Sequence, residues 1–332
     1  MLTLRHQYIA RDSGKLCDEP LFADRLIKLM YNGVRENAPM LFRLLTSARM
    51  TGLLGLINYD LPFGTGASAC SRFLKQLDID LGECLALPEE LDTPRKVFER
   101  RIRYWDCRPM PDDPGAVVSP ADARVLVGSC RESSCLFIKD KFFSFEELLG
   151  RSWLDAMGDG DFALFRLTPD KYHYNHTPVS GRVVDIYHID GAFNSCNPGA
   201  IVSVVTPYSK NRRVVTIIDT DVQGGTGVGL VAMVEVVALM IGEIVQCYSA
   251  QGYQDPQPVL PGMFLTRGQP KSLYRPGSST DILVFQPGRV EFAADLLANQ
   301  TRSDASSRFS VGFGAPLVET DIRVRAALAR RL

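Results

Sequence analysis

The chain has 332 residues, 45% of them hydrophobic, and a formal net charge of −1. That length and apolar share can bury a large core, in one big domain or two moderate ones, and the near-neutral balance argues against a nucleic-acid partner. Eight cysteines without a CxxC pair and four histidines give no metal-ligand spacing, so no metal and a reduced, cytoplasmic compartment are expected.

The first hundred residues read as helical. Leu21, Phe22, Leu26, Ile27 and Met30 recur at helical spacing, as do Met40, Leu41, Leu44 and Leu45. The N-terminus lacks the basic-then-apolar pattern of a secretory signal. Thr93-Pro94 reads as a cap with proline at the first helical position, opening a helix through Val97, Phe98 and Ile102. Pro109 to Gly115 (PMPDDPG) is too rich in breakers to continue it and marks a boundary.

Beyond that boundary the texture turns to short β-branched runs. They are Val125 to Val127, Val183 to Ile186, Ile201 to Val205, Val214 to Ile218 and Ile282 to Phe285. One helix interrupts them, with Ser144-Phe145-Glu146-Glu147 as its capping box and Gly150 as its stop. Gly224-Gly225-Thr226-Gly227-Val228-Gly229 imitates a dinucleotide-binding turn, but it misses the G-x-G-x-x-G spacing and a βαβ context, so it reads as an enlarged hairpin loop. No stretch reaches the roughly 18 uncharged apolar residues of a spanning helix. Val222 to Tyr248 comes nearest, and Glu235 and Glu243 break it. The expected class is α+β, with a helical N-terminal region (1–110) packed on a β-rich, mainly antiparallel catalytic domain (111–332).

Three segments carry the chemistry. Ser119-Pro120-Ala121-Asp122-Ala123-Arg124-Val125 comes first, and Leu167-Thr168-Pro169-Asp170-Lys171-Tyr172-His173-Tyr174-Asn175-His176-Thr177-Pro178-Val179-Ser180-Gly181 second. Gly277-Ser278-Ser279-Thr280, just ahead of Ile282 to Phe285, is the third. A Gly-Ser bond before a strand can be a self-cleavage site, where an activated hydroxyl attacks the preceding carbonyl. Such activation takes a base and a group to orient it. In order and spacing the three segments resemble the phosphatidylserine decarboxylase family, with its SPxDG-like, LxPxDYHRxH-like and GS(S/T) motifs. Ser195-Cys196-Asn197-Pro198, Asn211-Arg212-Arg213 and Val236 to Ile244 match further family segments. The likeness runs over roughly residues 90 to 290.

The resemblance implies a relay of Asp122 as orienting acid, His176 as base and Ser278 as nucleophile. The cut between Gly277 and Ser278 would leave a β-subunit (1–277) and an α-subunit (278–332) headed by a pyruvoyl group made from Ser278. That ketone would form a Schiff base with a substrate amine and draw off the electrons released with carbon dioxide. His173 or His176 would return a proton. Tyr172, Asn175 and Tyr274 are expected to shape the substrate pocket.

Departures from the family pattern are also legible. Ala123 replaces a Gly, Lys171 an acid, and Arg267 to Tyr274 lacks the Glu and second Gly of a KGxExGxF-like segment. Counting back from Phe285 moves the cut to Ser278-Ser279, with the pyruvoyl then made from Ser279. The Gly277-Ser278 register is favoured because glycine does not crowd the attack. Asp281 would then belong to a one-residue insertion.

The family implies phosphatidylserine as substrate and phosphatidylethanolamine as product. A free amino acid such as tryptophan is the alternative, and a non-processing lipid-binding relative the third reading. Met40 to Leu56, with Arg43 and Arg49, and the basic run Arg95, Lys96, Arg100, Arg101 and Arg103 would suit peripheral membrane contact. Relatives assemble as dimers of the cleaved pair.

Overall fold

The computed structural model of the chain describes residues 5–21, 31, 37–38, 40, 79–129, 142–203, 207–238, 243–277 and 279–332. The helical recurrences around Leu26 and Leu44, the Arg43 and Arg49 face, and Ser278 lie outside these residues. The strands in chain order are β1 (Gln7–Ala10), β2 (Lys15–Asp18), β3 (Ala116–Val118), β4 (Ala123–Ser129), β5 (Asp161–Leu167), β6 (Tyr174–His176), β7 (Gly181–Ile189) and β8 (Arg213–Asp219). They continue with β9 (Leu230–Val237), β10 (Ile244–Gln246), β11 (Phe264–Leu265), β12 (Pro270–Tyr274), β13 (Ser279–Phe285), β14 (Val290–Phe292), β15 (Thr320–Ile322) and β16 (Ala327–Arg331). Among the described residues ten strands form one sheet, ordered β11-β7-β8-β9-β13-β5-β4-β15-β1-β2. Its pairings are antiparallel except that of β1 with β15. Two smaller sheets, β10-β12-β6 and β14-β16-β3, complete an α+β architecture.

The sheet is covered on both faces, so its central strands are apolar on both sides. Along β13, Leu283 and Phe285 enter one core with Met233, Phe165 and Tyr274. Ile282 and Val284 enter the opposite core with Val234, Leu164 and Phe309. A continuous apolar run is what such double burial selects. The glycine-rich segment does connect β8 to β9 as a hairpin loop, with Thr220 Oγ1 donating to the Gly229 carbonyl at 2.7 Å.

Several sequence expectations need correction. Residues 7–18 form the β1–β2 hairpin rather than helix. Here Ile9 is fully buried while its strand neighbours Tyr8 and Ala10 are only partly so, a strand alternation. Ile201 to Val205 reads as strand, yet Pro198–Ser203 is a helix. Asn197 Oδ1 accepts the Gly199 amide at 2.8 Å, and proline occupies the first turn, so the cap outweighs the β-branched run. The helix opened by Thr93 ends at Phe98, and Ile102 instead bridges Cys84. The helix Phe145–Leu149 does open on Ser144 and stop at Gly150. Within the basic run, Lys96, Arg101 and Arg103 are exposed, but one member is withdrawn from the surface. Arg100 is buried and bonded to the Val97 and Asp170 carbonyls, and Arg103 reaches the carbonyls of Gly82 and Cys84.

The hairpin docks through buried charge. Arg124 and Arg166 stand directly opposite each other on β4 and β5. Like charges so placed repel, and acids from both ends of the chain offset them. Arg166 donates to Glu19 (2.6 and 2.8 Å) and Glu319 (2.5 and 2.9 Å), while Arg124 pairs with Asp321 and stacks on Tyr8. His6, Glu19 and Glu319 converge closely enough to hold a cation, but Arg166 already supplies the positive charge there. Burial alone would raise the Glu319 carboxyl; Arg166 and His6 outweigh it and hold it at about 2. Removing Arg166 (Arg166→Ala) strands two buried acids and should cost about 3–5 kcal/mol in urea unfolding at neutral pH. A depressed carboxyl contributes stability above its ordinary pKa that is lost as pH falls through the folded one. The gap between wild type and variant should therefore narrow from about pH 4.5 towards pH 2.

Candidate active site

The topology brings the three chemistry-bearing segments together. β5 ends at Leu167 directly opposite Ser279, the first residue of β13, so the histidine segment and the Gly-Ser segment leave the sheet at one point. The histidine segment then returns as β6 and pairs with β12, which leads into the Gly-Ser loop. The segment around Asp122 lies against the histidine segment, where the His176 amide donates to the Pro120 carbonyl at 2.7 Å.

His176 is fully buried and fixed at both ring nitrogens. Nδ1 lies 2.8 Å from the Gly268 carbonyl, and Nε2 lies 2.9 Å from the Tyr172 hydroxyl. A carbonyl can only accept, so Nδ1 carries the proton and Nε2 is the basic atom. Tyr104 meets the ring edge-on at 4.7 Å. Burial pushes this imidazole down to about 3. The expected orienting acid is engaged elsewhere. Asp122 accepts both Arg108 Nε (3.0 Å) and Nη2 (2.7 Å), together with the Val324 amide (2.7 Å). The group that orients His176 is therefore the Gly268 carbonyl, and Asp122 fixes the loop that carries Pro120. Gly268 has φ +76°, and a Cβ there would come within 2.5 Å of Met110 Sδ, so only glycine fits without displacement.

His173 lies one turn of chain away with its ring stacked on Phe98 at 3.5 Å, and burial pushes it down to about 3 as well. Its carbonyl accepts the Tyr274 amide at 3.0 Å, which ties it to the end of β12. Of the expected pocket residues, Tyr172 is held between His176 and Tyr253 (2.7 Å). Asn175 donates to Ser272 at 3.1 Å and Glu235 at 3.4 Å, while its Oδ1 has no partner among the described residues. Tyr274 is buried with its hydroxyl enclosed by Val236, Thr280 and Asp281, so it does not face an open pocket.

Around the Gly-Ser bond, Gly277 has φ +143°, a conformation that L side chains rarely adopt. Ser279 already lies in the ladder between Val237 and Leu167, fully buried, with no hydrogen-bond partner for Oγ among the described residues. Thr280 Oγ1 contacts Cys196 Sγ at 3.1 Å. Asn211 accepts the backbone amide and side-chain amide of Asn194 and donates to the Val237 carbonyl, each at 2.9 Å. The Ser195-Cys196-Asn197-Pro198 and Asn211-Arg212-Arg213 segments thus brace the strand end beside Ser279.

Sequence reasoning missed a second buried group on this side of the sheet. Glu235 and Lys271 are both fully buried and paired at 2.8 Å, with Gln246 bonded to each. A lone acid within Leu230 to Val237 and a lone base within Pro270 to Tyr274 were the available signals, since isolated buried charges seek each other.

The sequence model of the phosphatidylserine decarboxylase family matches residues 95–311. The chain belongs to that family. It is 32% identical to a phosphatidylserine decarboxylase proenzyme of Bordetella petrii over 238 residues, 67% of this chain and 79% of the relative. With the corresponding proenzyme of Fusobacterium nucleatum it shares 26% identity over 308 residues, 92% of this chain and 95% of the relative. With phosphatidylserine decarboxylase proenzyme 3 of Schizosaccharomyces pombe it shares 30% over 295 residues, 87% of this chain. The chain spans only 28% of that relative's length. No helix among the described residues is long and apolar enough to cross a membrane.

Both imidazoles should be neutral from about pH 5 upward. Ring-nitrogen NMR should show His176 as the Nδ1–H tautomer across that range, unchanged to about pH 4. Observing protonated His176 at pH 6 would remove Nε2 as a free base.

Proposed function

We propose that this chain is a proenzyme that cuts itself between Gly277 and Ser278 and, once cut, decarboxylates phosphatidylserine to phosphatidylethanolamine. The observation that supports the reading is Gly277, in a glycine-favouring conformation just ahead of a fully buried strand, where the histidine segment and the Gly-Ser segment leave the sheet side by side. The free-amino-acid alternative gains no support from the relatives above.

In the cut, His176 Nε2 takes the Ser278 hydroxyl proton and the oxygen attacks the Gly277 carbonyl. The amide becomes an ester and the serine nitrogen gains a proton. Elimination then releases Gly277 as a carboxylate and leaves a dehydroalanine, which water converts to the ketone with loss of ammonia. A general base of this kind contributes about 10²–10⁴-fold. Asp122 acts as a positioning residue, because its bonds to Arg108 and Val324 hold the loop whose Pro120 carbonyl receives the His176 amide.

The surroundings suit a pyruvoyl group at the head of β13: the preceding residue lacks a side chain, and Ser279 Oγ is a buried polar atom with its bonding capacity unused. That group, once formed, supplies the electron sink for carbon dioxide loss. His173, neutral at rest, is the proposed relay of the proton returned to the substrate carbon, giving one from a ring nitrogen as the other nitrogen takes one from water. The two products would stay together, because β13 is laddered to β9 and β5 on both edges.

Intact mass of the denatured protein should give two fragments divided after residue 277, the smaller without a free amine. Ser278→Ala should leave one uncut chain, and Ser279→Ala should still be cut. His176→Ala should slow cutting by at least about 100-fold. The cut protein should release carbon dioxide from phosphatidylserine vesicles. A wild-type chain that remains whole and inactive would overturn the reading.

A further inference from the structure

Asp281 is the first side chain of β13 with a carboxyl group, and it is wholly buried. It stands directly opposite Glu235 of β9 and Phe165 of β5. Two carboxyl groups side by side in a dry interior cannot both be charged without matching cations. The cation nearby is Lys271, and its partners are already assigned: Nζ donates to Glu235 at 2.8 Å and to Gln246 at 2.9 Å. Glu235 in turn accepts from Lys271, Gln246, Ser272 and Asn175. Asp281 has one contact, Oδ1 to the Tyr274 hydroxyl at 2.7 Å, and its Oδ2 has no partner among the described residues.

Counting protons assigns the charge. The Tyr274 oxygen lies 3.1 Å from the Val236 amide, which can only donate, and 3.0 Å from the Thr280 carbonyl, which can only accept. A phenol has one proton to give, and two acceptors, the Thr280 carbonyl and Asp281 Oδ1, face it. A protonated Asp281 removes the shortage, donating to the phenol oxygen while the phenol donates to Thr280. An ionised Asp281 would set two acceptors, its own oxygen and the Thr280 carbonyl, against a single hydroxyl proton.

The position gives this bond a task. Tyr274 precedes both candidate scissile bonds, and Thr280 and Asp281 follow them, so the contact ties together the two strand ends that flank the candidate cuts. We propose that Asp281 is a neutral carboxylic acid that staples Tyr274 to the start of β13 and so positions the scissile loop for self-cleavage. Asp281 is a positioning residue here. The proposal rests on the self-cleavage reading above. Burial, and then the charge of Glu235, push the Asp281 carboxyl well above the usual carboxylate range, in keeping with the count. The titratable groups facing it are Glu235 from β9 and Lys271 and Tyr274 from β12; β5 presents Phe165.

Two measurements test the staple. The first is the cleavage half-time of pulse-labelled chains made by cell-free synthesis, read by fragment appearance. Asp281→Ala and Tyr274→Phe should each lengthen it about tenfold, because a loop misplaced by a fraction of an ångström loses its attack geometry. Asp281→Asn, whose amide can still donate to the phenol, should stay within about twofold of wild type. The second is thermal unfolding in the uncuttable Ser278→Ala background. An acid whose folded pKa is raised contributes stability at low pH that is lost as pH rises towards that pKa. Asparagine carries no such loss, so Asp281→Asn should gain stability over its parent steadily from about pH 5 to about pH 8. Wild-type cleavage rates in Asp281→Ala, Asp281→Asn as slow as Asp281→Ala, or a gain that does not change with pH would each overturn the proposal. If the wild type is never cut, the self-cleavage reading fails, and the pH series still decides whether Asp281 is neutral.

Discussion

The structure depends on where β13 sits. Its residues are wholly buried, its two edges are laddered to β9 and β5, and its side chains enter both cores. Ile282, Leu283, Val284 and Phe285 supply the stabilisation, at roughly 1.5–3 kcal/mol for each fully buried side chain. The polar residues Ser279, Thr280 and Asp281 occupy the other end. A strand so anchored cannot slide or fray, so the residues that lead from β12 to Gly277 approach a fixed point. In such a frame one residue takes a backbone conformation that side-chain-bearing residues rarely adopt, and that residue is Gly277.

Burying the polar end of a strand carries a cost that the molecule meets by local neutralisation. On one side of the sheet, Arg124 and Arg166 are set opposite each other and balanced by Glu19, Glu319 and Asp321. On the other, Glu235 is matched by Lys271. The first cluster draws acids from both ends of the chain and so closes the N-terminal hairpin and the C-terminal strands onto the central sheet. The second lies between β9 and β12 and joins the small sheet that carries His176 to the large sheet that carries Ser279. Removing one member of either set leaves a buried charge without a partner, which is far costlier than never having placed the pair.

Much of this was legible in the sequence because it is local. The cap at Ser144, the breaker-rich segment before β3 and the apolar run of β13 each announce themselves within a few residues. The grouping of the segments around Asp122, His176 and Gly277 as one functional set came from a family likeness rather than from periodicity. What escaped the reading depends on partners distant in the chain. Tyr8 and Ile9 look unremarkable until Thr320 pairs with Ile9 across the fold. The pairing of Asp122 with Arg108, rather than with an imidazole, is set by three-dimensional packing and has no local signature.

That last difference bears on the chemistry. A carboxylate against Nδ1 would orient the imidazole and also pull it towards the charged form, since opposite charges attract strongly in a low-dielectric interior. The Gly268 carbonyl orients the ring through the same nitrogen without adding a charge. The ring is therefore held in one tautomer, neutral, with Nε2, beside the Tyr172 hydroxyl, as its basic atom. Such a base is weaker at rest than a carboxylate-backed one. The proposed self-cleavage, however, would happen once in the life of a chain and ask for no turnover. Fixed geometry then matters more than base strength, and geometry is what Gly268, Tyr172 and the Pro120 carbonyl supply.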